Sequence, residues 1–131
     1  GGVIRNELYK VANKNSNIHL VESLGSKGYY TALSRCVLVL GNSSSGIIEA
    51  ASFSKYAINL GNRQLGRECG VNVIHCKIDE EEILKEIKNV GNLKNLDSTN
   101  IYGEGDTSNK IVQLLTKIND NQINSKSFVD L

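Results

Sequence analysis

The 131-residue sequence predicts an α/β domain in which helices flank a parallel, Rossmann-like sheet. Two observations lead to this prediction. Short apolar runs alternate along the chain with longer segments of helical periodicity. One of these runs, at residues 37–40, passes through a loop of Gly, Asn and Ser into a new helical segment. Alternation of this kind requires crossover connections, which join parallel strands in one sheet.

Helices are predicted where apolar residues recur every three or four positions. The pattern is strongest at residues 79–90, where three glutamates occupy the first turn and lysines follow, an order that suits the helix dipole. For the last helix, Asp106, Thr107 or Ser108 can serve as the cap. The predicted helices are residues 4–14, 26–35, 46–53, 79–90 and 106–118.

Strands are predicted at the shorter apolar runs, and ligands of parallel sheets bind beyond the carboxyl ends of such strands. The loops 41–46 and 61–70 both follow strands, so both are expected at the ligand edge. Residues 119–131 are polar and weakly patterned, and we expect them to form a tail. The predicted strands are residues 17–24, 37–40, 57–60 and 71–76.

Net charge, apolar content and cysteine positions limit the classes of protein to which this chain can belong. A formal net charge of +1 argues against nucleic acid as a partner. No stretch reaches the roughly 18 apolar residues of a membrane span, and no signal-peptide pattern occurs. Cys36 and Cys76 adjoin apolar runs and are interpreted as small buried side chains in a reducing, cytoplasmic protein. Because the chain opens with Gly1-Gly2 rather than methionine, we expect a fragment of a longer protein.

The loop at residues 41–46 is the strongest candidate for a binding site. Backbone N–H groups at a strand–loop–helix joint suit a phosphate, and the hydroxyls of Ser43, Ser44 and Ser45 add donors. A helix cap is the alternative, since Ser and Asn commonly precede helices. A cap needs one such residue, whereas four stand in a row here, which favours phosphate. The loop has neither the GxxxxGK[ST] nor the GxGxxG pattern.

Each charged residue near this loop can be interpreted either as a ligand-binding residue or as an ordinary capping or surface residue. Glu49 would repel a phosphate, so a ligand role requires neutral donors such as the O2′ and O3′ hydroxyls of ribose; a solvated or capping glutamate is the alternative. The Arg63 guanidinium group can donate two hydrogen bonds to phosphate oxygens, or Arg63 can simply belong to a basic surface loop. Arg67 is the weaker candidate for phosphate binding. His19 and His75 are interpreted as structural, and no metal cluster is visible.

The chain resembles the UDP-N-acetylglucosamine 2-epimerases, above all the hydrolysing enzymes of sialic acid biosynthesis. The matching motifs occur in order and at matching spacing between about residues 4 and 118. They are Gly41-Asn-Ser-Ser-Ser-Gly-Ile-Ile-Glu-Ala50, Ala57-Ile-Asn-Leu-Gly-Asn-Arg-Gln64, Gly66-Arg-Glu68 and Tyr102-Gly-Glu-Gly105. The resemblance implies that residues 1–118 form part of the C-terminal half of a two-domain GT-B fold, without the N-terminal domain.

The resemblance also implies roles for individual residues. Ser43 and Ser44 would hold the UDP diphosphate, Glu49 the ribose hydroxyls, and Arg63 would lie beside the phosphate–sugar region. Leu24 would border the uracil pocket. The supporting residues of the loop are Asn42, Ser45 and Gly46. The family's catalytic acids and histidine have no counterpart, so we expect no catalytic residue, metal or cofactor here.

The implied reaction begins with removal of the sugar C2 proton and elimination of UDP from UDP-N-acetylglucosamine (UDP-GlcNAc). Hydrolysing members release N-acetylmannosamine and UDP, and members are commonly dimers or tetramers. Two alternatives remain: the C-terminal domain of a GT-B glycosyltransferase, or a non-catalytic nucleotide-sugar-binding module. The sequence departs from the family where Pro is usual at Tyr56 and frequent at Ala51, and where Gly is frequent near Ser54.

Overall fold

The computed structural model describes residues 2–93, 96 and 99–117. The chain divides into two compact units, and the boundary lies between Cys36 and Val37. The tail predicted at residues 119–131 lies outside the described residues, as does residue 118 at the end of the last predicted helix. Among the described residues, no helix combines the length and the apolar character that crossing a bilayer requires.

The first unit contains two helices, α1 (Gly2–Lys14) and α2 (Gly25–Arg35), and both were predicted. The strand predicted at residues 17–24 is wrong, because turns and bends connect these helices instead. A strand needs a neighbour to satisfy its backbone N–H and C=O groups. The described part of this unit contains no other extended segment to provide one. The apolar side chains that suggested the strand are exposed.

The second unit is built on three parallel strands in the order β1-β2-β3. They are β1 (Leu38–Gly41), β2 (Tyr56–Leu60) and β3 (Val73–Cys76). Gly41 of β1 pairs with Asn59 of β2, which pairs in turn with His75 of β3. The three strands therefore end at one edge, and the segments that follow β1 and β2 both begin there. This confirms the predicted parallel α/β arrangement.

Helices cover both faces of this sheet. On one face, α4 (Glu80–Asn92) packs through Val90 against Ile58 and Cys76, and these three side chains are buried together. On the other face lies α3 (Ser45–Ile48), which approaches the sheet closely at Gly46. A Cβ atom added at Gly46 would lie 3.3 Å from the Cβ atom of Ala57.

The capping predictions have different outcomes at the two C-terminal helices. For α4, the Asp79 carboxylate accepts a hydrogen bond from the Glu82 N–H at 3.0 Å, so the predicted start of this acidic helix is confirmed. For α5 (Thr107–Leu115), Asp106 occupies the cap position without a capping hydrogen bond. Its carboxylate lies 2.8 Å from the Lys110 ammonium group instead. An ion pair one turn along the helix has therefore replaced the cap.

The predicted helix at residues 46–53 is interrupted. The α-helical turn α3 ends at Ile48, and a 3₁₀ turn follows at Ala50–Phe53. The backbone then turns at Ser54, whose φ of 52° and ψ of 44° are left-handed. This is the position near which the family that the sequence resembles frequently has glycine. Glycine adopts this conformation without steric cost, whereas serine does not.

Replacing Ser54 by glycine is expected to stabilise the chain by about 0.5–1 kcal/mol. The left-handed conformation costs a non-glycine residue roughly 1–2 kcal/mol, and the extra backbone entropy of an unfolded glycine offsets about 0.5–1 kcal/mol of the gain. Thermal unfolding followed by circular dichroism should show a midpoint about 2–4 °C higher. Ser54→Ala, the matched control, retains the strained conformation and should not raise the midpoint. A lower midpoint for Ser54→Gly would contradict the strain assigned here.

The buried thiol of Cys76 makes the stability of the second unit depend on pH. Burial raises the pKa of Cys76 above 9.0, and the negative charges of Glu82, Glu86 and Asp79 raise it further. The folded state thus favours the neutral thiol. Its contribution to stability is complete below the unfolded-state pKa and is lost as the pH rises through the higher folded-state pKa.

We therefore expect the free energy of unfolding to fall above pH 9 with a component that Cys76→Ala removes. Urea titrations between pH 7 and 10.5 measure it as the difference in slope between the wild type and the variant. Cys69→Ala replaces a half-buried thiol and should keep the wild-type slope. Parallel pH profiles for the wild type and Cys76→Ala would show that burial of this thiol has no such effect.

Candidate functional site

The serine loop, residues 42–44, joins β1 to α3 at the carboxyl edge of the sheet. Ser44 stands at the cap position of α3, but its hydroxyl makes no capping hydrogen bond. The Ser43 hydroxyl oxygen accepts from the Ser45 N–H at 3.3 Å, which fixes the turn. Within the described chain, neither the Ser43 nor the Ser44 N–H donates to another group. The loop thus presents backbone and hydroxyl donors together.

Two residues that were predicted to belong to this loop are part of the helix that follows it. Ser45 and Gly46 belong to the first turn of α3, and Gly46 is buried against the sheet. Only Asn42 remains in the serine loop itself. Because α3 has four residues, its dipole is small, and binding of an anion here depends on individual N–H and O–H donors.

Glu49 follows α3 directly and is half-buried. Its Oε2 atom is inaccessible to solvent and accepts no hydrogen bond within the described residues. A carboxylate oxygen in this state lacks both water and a protein donor, which is costly unless something else donates to it. Glu49 is therefore not the fully solvated side chain of the plainer interpretation. Because this oxygen is closed even to water, a hydroxyl donor can reach it only when the Glu49 side chain or its surroundings move.

The arginine loop, residues 61–70, leaves the same edge after β2. It begins at Gly61, where a φ of 67° and the Ile78 side chain, 3.1 Å from the position of an added Cβ atom, favour glycine. Arg63 and Arg67 are exposed, and neither forms an ion pair with a described acidic residue. Both guanidinium groups can therefore bind an anion. Arg63 stands nearer the strand end, as its prediction requires.

Gln64 connects these two loops and was quoted in the sequence motif without a role. Its side chain is buried, and its Nε2 donates to the Asn42 carbonyl oxygen at 2.9 Å. The contact joins residues 22 positions apart. Sequence reasoning missed it because a polar residue in a polar loop is expected at the surface. The only available signal was its place in the motif, four residues after the end of β2.

A third segment, residues 99–105, spans from the α3 side of the sheet to the arginine loop. The Asn100 side-chain amide donates to the Ile48 carbonyl at 2.7 Å and to the Ser52 hydroxyl at 2.6 Å. The Tyr102 hydroxyl donates to the Glu68 carbonyl at 2.7 Å. This segment includes the Tyr-Gly-Glu-Gly motif, and its hydrogen bonds hold it beside both loop regions. Its contacts could not be predicted from the sequence.

The other predicted residues belong to the first unit or have different partners. Leu24 precedes α2 in the first unit, so its suggested place beside uracil stays a prediction. His75 is exposed on β3 with its Nδ1 3.1 Å from the Asn59 amide nitrogen, in keeping with a structural interpretation. His19 is exposed in the segment that was wrongly predicted as a strand. Among the described residues, no hydrogen bond joins His75 to the serine loop.

Together, the residues at this edge suit a ligand that has an anionic and a neutral hydroxyl part. Donors of the serine loop and the charge of Arg63 favour phosphate oxygens. A carboxylate such as that of Glu49 favours hydroxyl groups, since it has two acceptor oxygens and no donor. A nucleoside phosphate contains both parts within one molecule. These features describe binding and orientation, and they include no nucleophile paired with a base.

Comparison with known proteins gives a family and several relatives. Residues 3–116 match the sequence profile of the family described as UDP-N-acetylglucosamine 2-epimerase. The chain is 35% identical over 118 residues to the UDP-N,N'-diacetylbacillosamine 2-epimerase (hydrolyzing) of Legionella pneumophila, covering 90% of this chain and 31% of that protein.

Two further relatives have similar names. The chain is 38% identical over 81 residues to the GDP/UDP-N,N'-diacetylbacillosamine 2-epimerase (hydrolyzing) of Campylobacter jejuni, covering 60% of this chain and 21% of that protein. It is 28% identical over 107 residues to the UDP-N-acetylglucosamine 2-epimerase of Neisseria meningitidis, covering 79% and 28%. The chain thus spans less than a third of the length of the curated relatives it matches.

Proposed function

The chain belongs to the UDP-N-acetylglucosamine 2-epimerase family, and we propose that it supplies the UDP-binding half of a hydrolysing member. The whole enzyme would convert UDP-GlcNAc to N-acetylmannosamine and UDP. The observation that supports this most is the pairing of unlike groups at one sheet edge. Unused donors of the serine loop suit a diphosphate, and the carboxylate of the half-buried Glu49 suits ribose hydroxyls.

The serine loop and Arg63 would act on the leaving group. When the C1–O bond breaks, negative charge grows on the UDP diphosphate, and donors already fixed around it stabilise that charge. Holding the diphosphate also sets sugar atoms C1 and C2 against acid and base groups elsewhere in the enzyme. Those groups would lie beyond this chain, which spans less than a third of its relatives.

The hydrolysing outcome is favoured by the names of two relatives, both of which are called hydrolyzing. The same names suggest a second candidate substrate, UDP-N,N'-diacetylbacillosamine, for this protein. Both candidates share UDP and differ in the sugar. Since the roles proposed for the serine loop and Glu49 concern the nucleotide, the rest of the enzyme would select between the two sugars. We propose a cytoplasmic enzyme, where nucleotide sugars and reduced cysteines are both expected.

A nuclear magnetic resonance titration tests the proposed site directly. Adding UDP to the ¹⁵N-labelled chain should shift the amide signals of Ser43, Ser44, Glu49 and Arg63. Signals from α4, on the opposite face of the sheet, should stay in place. Inorganic sulfate at equal concentration controls for ionic effects. Shifts confined to other regions, or a well-folded chain that shows none, would contradict this proposal.

A further inference from the structure

The side chain of Gln64 has an arrangement that core packing does not explain. It is 4% exposed, and its amide nitrogen donates to the Asn42 carbonyl oxygen. Its Oε1 atom is also buried and accepts no hydrogen bond within the described residues. A buried carbonyl oxygen without a donor destabilises a protein, so an apolar side chain of similar size would serve packing better. Local features that destabilise the fold are expected mainly at functional sites. The unpartnered Oε1 atom, in a loop at the carboxyl edge of the sheet, therefore indicates that Gln64 has a functional role.

The hydrogen bond from Gln64 acts on a specific peptide unit. The Asn42 carbonyl and the Ser43 N–H belong to the same planar peptide group. Holding the carbonyl oxygen therefore fixes the direction of the Ser43 N–H, which points the opposite way. Donation to the carbonyl also polarises the peptide group and makes its N–H a stronger donor. Ser43 N–H is one of the unused donors of the serine loop.

We propose that Gln64 is a positioning residue for the diphosphate, an inference that rests on the proposed function. Through Asn42 it orients the serine loop, and its neighbour in sequence, Arg63, is carried on the same turn of the arginine loop. The contact thus sets two groups of donors, from separate loops, in a fixed relation before UDP arrives. Preorganisation of this kind removes the ordering cost from the binding step.

The test substitutes Gln64→Met, which keeps the length and removes both polar ends. UDP affinity, measured by calorimetry on the full chain, should fall about tenfold, the effect of one hydrogen bond to a charged group. Thermal stability should stay equal or rise, because the unpartnered Oε1 disappears. The ratio of UDP to uridine affinity should also fall, since uridine has no phosphate. Gln113→Met changes an exposed glutamine of α5 and is the matched control.

Gln64→Glu provides a second variant of nearly identical shape, whose carboxylate cannot donate to the Asn42 carbonyl at pH 7. The same loss of UDP affinity is expected. If the wild type binds UDP and both variants bind it equally well, the positioning role is wrong while the proposed function stands. Loss of UDP and uridine affinity in parallel with a lower melting temperature would also overturn it. A folded wild-type chain without UDP affinity would overturn the proposed function itself.

Discussion

Replacing Glu49 by glutamine is expected to lower the affinity of the chain for UDP about 30-fold. A carboxylate can accept from two ribose hydroxyls at once, whereas an amide has one acceptor oxygen and presents its NH₂ group to the other hydroxyl. A hydrogen bond to a charged group contributes about 1.5–3 kcal/mol, so the loss of one corresponds to roughly 10- to 150-fold in affinity. Isothermal calorimetry measures the difference between the wild type and the variant.

A deoxynucleotide separates a direct contact from an indirect effect. The 2′-deoxy form of UDP lacks one of the two hydroxyls, so Glu49→Gln should weaken its binding far less than it weakens binding of UDP. Glu68→Gln replaces an exposed glutamate of the arginine loop and should leave both affinities nearly unchanged. An equal loss for UDP and its 2′-deoxy form would show that Glu49 makes no contact with the O2′ hydroxyl.

The same substitution should stabilise the chain in the absence of ligand. The Oε2 atom of Glu49 is buried without a donor, and an amide is less costly to remove from water than a carboxylate. We expect an increase of roughly 0.5–1 kcal/mol in the free energy of unfolding. Opposite effects on affinity and stability are typical of a residue retained for binding.

The second large effect concerns turnover. The isolated chain should release no UDP from UDP-GlcNAc above the rate in buffer, although it binds the nucleotide. Stabilising the leaving group does not suffice, because the reaction also needs a base at the sugar C2 proton. His75 of this chain is on β3 with its Nδ1 beside the Asn59 amide, and His19 lies in the other unit. Within the described residues, no hydrogen bond joins His75 to the serine loop.

A coupled assay for UDP, with N-acetylmannosamine quantified by chromatography, measures this turnover. The UDP-N-acetylglucosamine 2-epimerase of Neisseria meningitidis provides a positive control of the same family. Full-rate conversion by the 131-residue chain would contradict the account, since all catalytic groups would then be present in it.

Local patterns predicted most of the second unit. Runs of apolar residues located β1, β2 and β3, because buried parallel strands have such composition. The acidic first turn and Asp79 located the start of α4, because a cap depends on residues within one turn. The serine loop and Glu49 were identified for the same reason: the chemistry of a strand–loop–helix joint is contained in a few consecutive residues.

The failures concern features that depend on distant partners. Residues 17–24 have a strand pattern, but a strand forms only where a neighbour pairs with it. The roles of Gln64 and Asn100 depend on hydrogen bonds to Asn42 and Ile48, which are 22 and 52 positions away. Nothing in the adjacent sequence indicates such contacts.

The central claim is that the serine loop and Glu49 form one UDP site, and calorimetric titration of UDP tests it most directly. The titration is made into the wild-type chain, Ser44→Ala and Glu49→Ala, with circular dichroism to show that each is folded. We predict that the wild type binds UDP and that each substitution weakens binding at least tenfold. Absence of binding by the folded wild type, or equal affinity in all three proteins, would contradict the claim.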